Sequence, residues 1–282
     1  MDCRVERVAP EVVRHLRALF LRELNAQFRY ESVHPRHWCD DYALRIGDLV
    51  VGHASVMGQE SGDRDTLFEW YVLPAFRIRT ADLFQAFVDA SGVTLIESQT
   101  NDPLLYPVAH RWGTDLRPTV YFFESGAIAD LPGPGLVRPR REGDAPFMPD
   151  GELGSHVLDV DGLIVASGGF LLHYNPPFAD VYMEVHALHR QRGYGARLVA
   201  GVMHACWLAG RIPAARCNIT NAASRATLRK AGMREIGQMM FGAIARPVDV
   251  KVDADQSRSH GYRPPDESGE LLSPAPGPRL PI

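Results

Sequence analysis

The stretch Arg190-Gln191-Arg192-Gly193-Tyr194-Gly195-Ala196-Arg197-Leu198-Val199 decides the fold. A β-rich run, Ala179 to Val185, precedes it, and a helical pattern follows, with Leu198, Val202 and Cys206 four residues apart. The sequence therefore predicts a glycine-rich turn between a strand and a helix N-terminus. Such an N-terminus presents unpaired N–H groups and partial positive charge, and glycines let an anion approach its backbone. The pattern predicts a phosphate-binding loop.

Two common phosphate loops are excluded by spacing. A nucleotide P-loop requires Gly-x4-Gly-Lys-Ser/Thr, which is absent from the chain. A dinucleotide-binding loop requires a third glycine where this chain has Leu198, and an acidic residue about twenty positions after the turn. No acidic residue lies between Arg211 and Arg216.

The pattern that remains is Arg-x-x-Gly-x-Gly, with Val185 five residues before the arginine. It resembles the acyl-CoA pyrophosphate loop of the GNAT acetyltransferase superfamily, and Glu184 to Gly195 matches that strand-to-loop motif throughout. Asn218 to Ser224, followed by Leu228 to Met233, is similar to the superfamily's Asn-x-x-Ser…Gly-Phe segment, with Met for Phe. The alternative is an ordinary strand–turn–helix, but the order of loop, helix and Asn/Ser segment favours the family.

The first part of the chain contains a weaker copy of the motif. Val72 to Asp82 aligns with Val185 to Gly195 at an offset of 113 residues, and chance similarity is the alternative. Thr80 and Asp82 replace the two glycines. A β-branched side chain obstructs approach to the backbone, and a carboxylate repels pyrophosphate. We therefore expect the first copy to keep the fold without binding CoA.

The resemblance implies an α/β fold of mixed sheets, with two GNAT-like domains that each have a central, mostly antiparallel sheet flanked by helices. We expect a degenerate domain at residues 1–125, a linker at 126–154, an acyl-CoA-binding domain at 155–249 and a disordered Pro-rich tail at 250–282. The second domain has no room for the two helices that normally follow the first strand of the superfamily. In the superfamily those helices help to form the wall of the acceptor site, and the first domain is a candidate to supply that wall here.

Composition limits the partners. The net charge is −4, which does not indicate nucleic-acid binding, and no apolar run is long enough to span a membrane. Four cysteines without paired spacing and the lack of a signal peptide predict a cytoplasmic protein, for which a homodimer is compatible. His34, His37 and Cys39 have loose metal-ligand spacing but no second pair, so no metal is expected.

The resemblance implies acetyl-CoA as co-substrate and assigns its contacts. Val185 would pair with the pantetheine arm. The pyrophosphate would be held by the loop, comprising Arg190, Gln191, Arg192, Gly193, Tyr194, Gly195 and Ala196. Asn221 and Ser224 would contact the cofactor or cap the helix that begins there, and the two interpretations are compatible.

The catalytic candidates lie on the strand before the loop. Because side chains alternate along a strand, Asp180, Tyr182 and Glu184 share a face, unless a β-bulge switches the assignment. Glu184 is the first candidate for the base and Asp180 the second, against the alternative that each is a solvated strand residue. The superfamily's frequent general-acid tyrosine is replaced by Leu228. Tyr182, Tyr194 or water would act instead, or no specific acid is used.

These assignments predict an N-acetyltransferase that moves acetyl from acetyl-CoA to a primary amine of a small molecule or peptide by direct attack on the thioester. Two alternatives remain open. One is a non-catalytic acyl-CoA sensor, favoured by Leu228 and by the short acceptor-binding half. The other is an acyltransferase that uses a longer acyl donor.

Overall fold

Strand and helix patterns occur along the two predicted domains, and a computed structural model shows how they assemble. It describes residues 2–147 and 152–245, so the predicted tail lies outside the described residues. The strands are β1 Cys3–Val8, β2 Cys39–Ile46, β3 Leu49–Met57, β4 Thr66–Val72, β5 Leu95–Gln99, β6 Gly113–Ser125, β7 Leu136–Pro139, β8 His156–Val160, β9 Leu163–Leu171, β10 Phe178–Val185, β11 Ile212–Asn218 and β12 Met233–Ile244. The α-helices are α1 Pro10–Leu24, α2 Tyr30–Val33, α3 Thr80–Ser91, α4 Leu105–Trp112, α5 Tyr194–Leu208 and α6 Ala222–Lys230.

Local signals in the sequence account for several elements. The Gly47-Asp48 pair between the strand patterns of Tyr42 to Met57 predicts a hairpin, and β2 and β3 form it, with Gly47 at φ 60° and Ile46 opposite Leu49. Glycine adopts such a left-handed backbone at little cost. The helical periodicity of Val12 to Phe28 in the sequence corresponds to α1, which begins two residues earlier and ends at Leu24. It has proline at its first position, where the missing N–H costs nothing.

A single mixed sheet runs through the described part of the chain. Its strand order is β1-β2-β3-β4-β5-β12-β6-β11-β10-β9-β8-β7. We call residues 2–125 the first half and residues 126–245 the second half. When β7–β12 are matched with β1–β6, the order reads the same from both ends. Each half therefore places its last strand inside the sheet of the other.

The exchanged strands join the two halves. β12 pairs antiparallel with β5 of the first half and along the full length of β6, from Met233 opposite Ser125 to Ile244 opposite Gly113. β6 also pairs with β11 of the second half. The mixed α/β class is confirmed, but the structure differs from two separate sheets because the long β6–β12 pairing makes the sheet continuous. The predicted domain boundaries stay a prediction.

The stretch predicted as a linker contributes an edge strand. Strand β7 lies within residues 126–154 and pairs antiparallel with β8, which follows that stretch. Arg197 of α5 holds the preceding segment by donating hydrogen bonds to the carbonyls of Leu131 (3.1 Å), Gly135 (2.9 Å) and Pro134. Between β7 and β8, the described residues contain no helix.

Each half has a large hydrophobic core on a face of the sheet. In the first half, Leu83 and Phe87 of α3 are buried against β2, β3 and β4. In the second half, Leu198 and Val202 of α5 are buried against β8, β9 and β10. Helix α1 covers the opposite face of the first half, where Leu16 packs in a further core cluster. The two loops that precede α3 and α5 consequently occupy equivalent positions in the fold.

Candidate functional site

The loop before α5 is shaped by two residues with left-handed backbone. β10 ends at Val185, a single 3-10 turn spans Ala187–His189, and α5 begins at Tyr194. Between them Gln191 has φ 63° and Gly193 has φ 81°. Most side chains disfavour this region, so the glycine at position 193 suits the turn into the helix. The predicted strand–turn–helix is confirmed.

The amides of this loop face away from protein acceptors. In the described part of the chain, the backbone N–H groups of residues 191–196 donate to no protein atom, and the first amide to do so is that of Arg197, which reaches Gly193 O at 3.2 Å. Unpaired amides at a helix N-terminus concentrate partial positive charge. The arrangement suits an anion with several oxygens.

Three cationic residues belong to the loop or lie beside it. Arg190 donates through Nε to Val185 O at 3.3 Å, which ties the loop to the end of β10. Arg192 is exposed, and Lys230 Nζ lies 3.4 Å from where a Cβ on Gly193 would be. Among the described residues, none of the three has a carboxylate partner. The sequence motif did not identify Lys230, because its approach depends on the packing of α6 beside α5.

Gly195 is buried against other elements. A Cβ at this position would lie 3.1 Å from Thr227 Cγ2 and 3.2 Å from Val185 Cγ2. Its missing side chain therefore allows α5 to approach β10 and α6 closely. This packing role is additional to the approach of an anion, which the sequence predicts for the same glycine. A substitution of Gly195 would disturb both, so a substitution of Gly193 tests the loop more specifically.

A cleft opens between β10 and β11. These parallel strands are paired only from Phe178 opposite Ile212 to Asp180 opposite Ala214. Beyond Asp180, β10 pairs only with β9, up to Val185 opposite Ala166. The edge of β10 that faces the cleft therefore keeps backbone groups available to a ligand from Val181 to Val185, apart from the Val185 carbonyl, which accepts from Arg190. This edge leads directly to the loop amides.

The catalytic candidates have distinct surroundings. Met183 and Val185 face α5, since both approach Gly195. The β9–β10 register is regular from Asp180 to Val185, so no bulge intervenes, and Tyr182 and Glu184 lie on the opposite face. Glu184 is half-buried, and its carboxylate has no ion pair or hydrogen bond among the described residues.

Tyr182 lies against the neighbouring strand. Its hydroxyl is 3.1 Å from where a Cβ on Gly169 would be, and burial is the main cause of the raised pKa of Tyr182. The phenol therefore keeps its proton at neutral pH. Tyr194, the other tyrosine considered as an acid, is buried at the start of α5 with its ring 6.4 Å from that of His189.

Asp180 is occupied by an imidazole and a guanidinium partner. Its Oδ2 lies 2.8 Å from His173 Nε2 and 3.8 Å from Arg216 Nε, and the residue is buried where β10 still pairs with β11. The carboxylate thus belongs to a charged cluster at the closed end of the cleft. This placement favours Glu184 over Asp180 as a base.

The Asn/Ser segment begins α6 as a cap. Asn221 Oδ1 accepts the backbone N–H of Ser224 at 2.9 Å, which confirms the capping interpretation. Contact between these two residues and a cofactor stays a prediction. Leu228, at the position of the superfamily's frequent tyrosine, is buried in the second-half core.

Comparisons with known proteins match this architecture. Residues 179–241 match the model of the FR47-like protein family. The whole structure is similar to a GNAT-family acetyltransferase from Colwellia psychrerythraea, with a TM-score of 0.67 and 12% identity, covering 86% of this chain and 99% of that chain. The chain has the GNAT fold. The fold implied by the resemblance of the loop and of the Asn/Ser segment is confirmed.

Two further GNAT structures are similar over nearly their full lengths. One is a tandem GNAT protein from the clavulanic acid biosynthesis pathway, with a TM-score of 0.57 and 14% identity, covering 88% of this chain and 100% of that one. The other is a GCN5-related N-acetyltransferase from Sphaerobacter thermophilus, with a TM-score of 0.51 and 13% identity, covering 88% and 98%. A search among curated proteins finds no match.

The first half of this GNAT fold has an altered loop. Its Pro74–Arg79 segment is a 3-10 helix that continues into α3 with Thr80 in right-handed helical conformation (φ −54°, ψ −39°). The Thr80 amide donates to Arg77 O, and its hydroxyl donates to the same oxygen at 2.7 Å. Arg79 pairs with Asp82 at 2.6 Å. The amide and the charges at this position are therefore used within the protein.

The first-half cleft nevertheless persists. β4 and β5 are paired only at Thr66 and Leu67 and then separate, as β10 and β11 do. A cavity of about 220 Å³ lies there, lined by Trp70, Val72 and Val108 among others. The GNAT fold therefore keeps the splayed strands in both halves and differs between them at the loop.

A segment of the first half also reaches the second. Phe28 donates its backbone N–H to Asn175 Oδ1 at 2.6 Å, and Asn175 donates its own to Phe28 O at 3.0 Å. The Asn175 side chain donates to Ala26 O at 3.1 Å. Asn175 precedes β10, so the first half contributes part of the surroundings of the second-half strand.

Among the described residues, no helix is long and apolar enough to cross a membrane.

Proposed function

We propose that the second half binds acetyl-CoA and transfers its acetyl group to a primary amine. The observation that carries this proposal is the set of unpaired amides at residues 191–196, flanked by three cations and reached from the open edge of β10. A pyrophosphate needs several hydrogen-bond donors and positive charge in one place. The GNAT fold and the FR47-like match at residues 179–241 support acyl-CoA as the ligand.

The cleft suits the rest of the cofactor. The pantetheine arm carries amides, which pair with the free edge of β10 between Val181 and Val185 as an added strand would. Val185 stands where this edge meets the loop. In this proposal an N–H of this edge donates to the thioester oxygen, which becomes negatively charged during attack.

The reaction requires few groups from the protein. The amine attacks the thioester carbonyl, the C–S bond breaks, CoA leaves as a thiolate, and the ammonium nitrogen loses a proton. Glu184, half-buried and unpaired, is the base we assign to that proton, directly or through a water molecule. The phenol of Tyr182 carries a proton at neutral pH, and it is the acid we assign to the thiolate.

One observation favours a second candidate function. Leu228 is buried where the superfamily frequently has a tyrosine that acts as general acid. Its presence supports a sensor that binds acyl-CoA without turnover. In this case the loop and the β10 edge would hold the ligand, and Glu184 would have no catalytic role.

The test uses the full chain with acetyl-CoA and a panel of small amines and N-terminal peptides, following free CoA thiol. Acetyl transfer predicts thiol release that depends on one class of amine. A longer acyl donor predicts release from a longer acyl-CoA and little from acetyl-CoA. Binding measured by calorimetry without amine-dependent release identifies the sensor. Absence of acyl-CoA binding overturns the proposal.

A further inference from the structure

A buried polar cluster lies in the first half, on the face of the sheet covered by α1. It joins residues from α1, from the turn after α2 and from β2, β3 and β4: Arg17, His34, Cys39, Asp41, His53, Ser55 and Glu69. The proposed acetyl transfer does not use it. Burial of this many polar groups demands compensating partners.

His34 connects a thiol to a carboxylate. Its Nε2 lies 2.6 Å from Glu69 Oε1, and its Nδ1 lies 3.2 Å from Cys39 Sγ. A carboxylate beside Nε2 favours the tautomer with its proton on that nitrogen, which leaves the lone pair of Nδ1 toward the sulfur. This is how metal-binding histidines are oriented, with a carboxylate on the nitrogen remote from the metal.

Asp41 completes a set of three ligands. One of its carboxylate oxygens, His34 Nδ1 and Cys39 Sγ all lie within 4.8 Å of one another. Cys39 and Asp41 are two residues apart on β2, so they share a face of the strand. Asp41 Oδ1 also contacts Arg17 Nη2 at 2.5 Å and accepts from Ser55 Oγ at 2.7 Å, and these contacts orient the carboxylate.

The charges of the cluster leave room for a cation. Asp41 and Glu69 carry two negative charges, and Arg17 carries one positive charge between them. Arg64, near the thiol, is paired with Asp40 at 3.5 Å. With neutral histidines the cluster has one excess negative charge, and a Cys39 thiolate adds a second. A divalent cation balances both.

We propose that His34 Nδ1, Cys39 Sγ and an Asp41 carboxylate oxygen bind a divalent metal ion of zinc type. One nitrogen, one thiolate sulfur and one carboxylate oxygen are ligands that Zn²⁺ accepts, with a water in the fourth position. Binding breaks the S–H bond of Cys39, forms a metal–sulfur bond and releases the proton to solvent. His37, which the sequence spacing also suggested, is exposed and outside the cluster.

The competing explanation is a metal-free chain in which Cys39 donates to His34 and acts as a nucleophile. A nucleophilic thiolate is activated by positive charge beside the sulfur, whereas Cys39 lies close to the Asp41 carboxylate and beside His34, whose other ring nitrogen contacts Glu69. The surroundings therefore suit a metal better than a nucleophilic cysteine.

The test is the metal content of the full chain purified without chelator, measured by mass spectrometry after loading with Zn²⁺ and dialysis. We expect about one zinc per chain. Cys39→Ser and His34→Gln lose it, whereas Cys3→Ser, the matched control at the other half-buried thiol of the first half, keeps it. Circular dichroism establishes that each variant is folded.

Cobalt substitution gives an independent measurement on the unmodified protein. Co²⁺ bound as proposed shows a thiolate-to-metal charge-transfer band, and Zn²⁺ abolishes it by competition. Folded protein that retains no zinc, or zinc that persists in both Cys39→Ser and His34→Gln, overturns the proposal. Rapid alkylation of Cys39 by iodoacetamide at neutral pH, unchanged by Zn²⁺, identifies the nucleophile instead. None of these readouts depends on acyl-CoA.

Discussion

The two halves of this molecule share a scaffold and differ at one turn. Both have parallel strands that separate after two or three paired residues, and both follow the splayed strand with a helix. In the second half Gly193 has φ 81°, and the loop amides face outward. In the first half Thr80 has φ −54°, and its amide is bonded within the protein. The fold alone thus does not make an anion site, because the backbone conformation of a few loop residues decides whether the amides are free to bind an anion.

The charges follow the same division. Arg79 and Asp82 neutralise each other beside the first-half loop. Arg192 and Lys230 have no carboxylate partner among the described residues beside the second-half loop. On the splayed strand, Glu184 in the second half aligns with Tyr71 in the first. The unpaired loop amides, the loop cations without a carboxylate partner and the unpaired carboxylate of the splayed strand are therefore all found in the second half.

The largest effect is expected at Glu184. Glu184→Gln removes the proposed base, so kcat falls by about 10²–10⁴ while CoA affinity is nearly unchanged, and the acidic limb of the pH–rate profile flattens. Glu124→Gln, at another half-buried carboxylate of the sheet, is the control and keeps its activity. Near-full turnover with an unchanged acidic limb in Glu184→Gln means that Glu184 is only a strand residue.

Gly193→Thr tests the backbone itself by copying Thr80. A β-branched residue resists φ 81°, so the loop amides turn away and acyl-CoA affinity falls by about 100-fold, the loss of two or so charge-assisted hydrogen bonds. The matched control is Gly210→Thr. Gly210 has φ 70° at the far end of α5, so the substitution carries similar strain away from the loop. Equal loss of binding in both variants contradicts the account.

Much of this comparison is visible in the sequence, and the rest depends on long-range packing. The glycine and arginine spacing predicts β10, the loop and α5, and Gly47-Asp48 predicts the hairpin. The exchange of β6 and β12 is not predictable from either strand, because pairing partners are set by the whole sheet. The periodicity that places Asp180 on a face with Glu184 gives no sign of His173 and Arg216, which come from other elements.

The free cations give a smaller effect. Arg192→Ala and Lys230→Ala each weaken acyl-CoA binding by about 5–10-fold, because each removes one exposed charge from a phosphate site. The loss shrinks at high salt, where exposed charges are screened. Arg211→Ala removes a charge beyond the opposite end of α5 and is the control. Equal, salt-independent effects in all three variants argue against a phosphate at the loop.

The helices that follow the two clefts begin differently, and this predicts a pH effect. Asp102 accepts the N–H groups of Leu104 and Leu105 at the start of α4, whereas Asn221 caps α6. Burial raises the pKa of Asp102 to about 6. The folded state therefore binds more protons than the unfolded state between pH ~4 and ~6, and stability falls as the pH rises through this window.

Asp102→Asn removes the buried charge and keeps an acceptor for the helix. We expect the variant to match the unmodified protein at pH 4 and to exceed its free energy of unfolding by about 2 kcal/mol at pH 8. Urea titrations at the two pH values measure the difference, with Asp48→Asn at an exposed carboxylate as control. A difference that is the same at both pH values contradicts the assignment.

The central claim, one acyl-CoA site per chain at the second-half loop, is tested most directly by the stoichiometry of acetyl-CoA binding in calorimetry. We expect one site per chain in the unmodified protein and in Thr80→Gly, and none in Gly193→Thr at the same concentrations. Two equivalent sites per chain, or a site lost in Thr80→Gly and kept in Gly193→Thr, would contradict it.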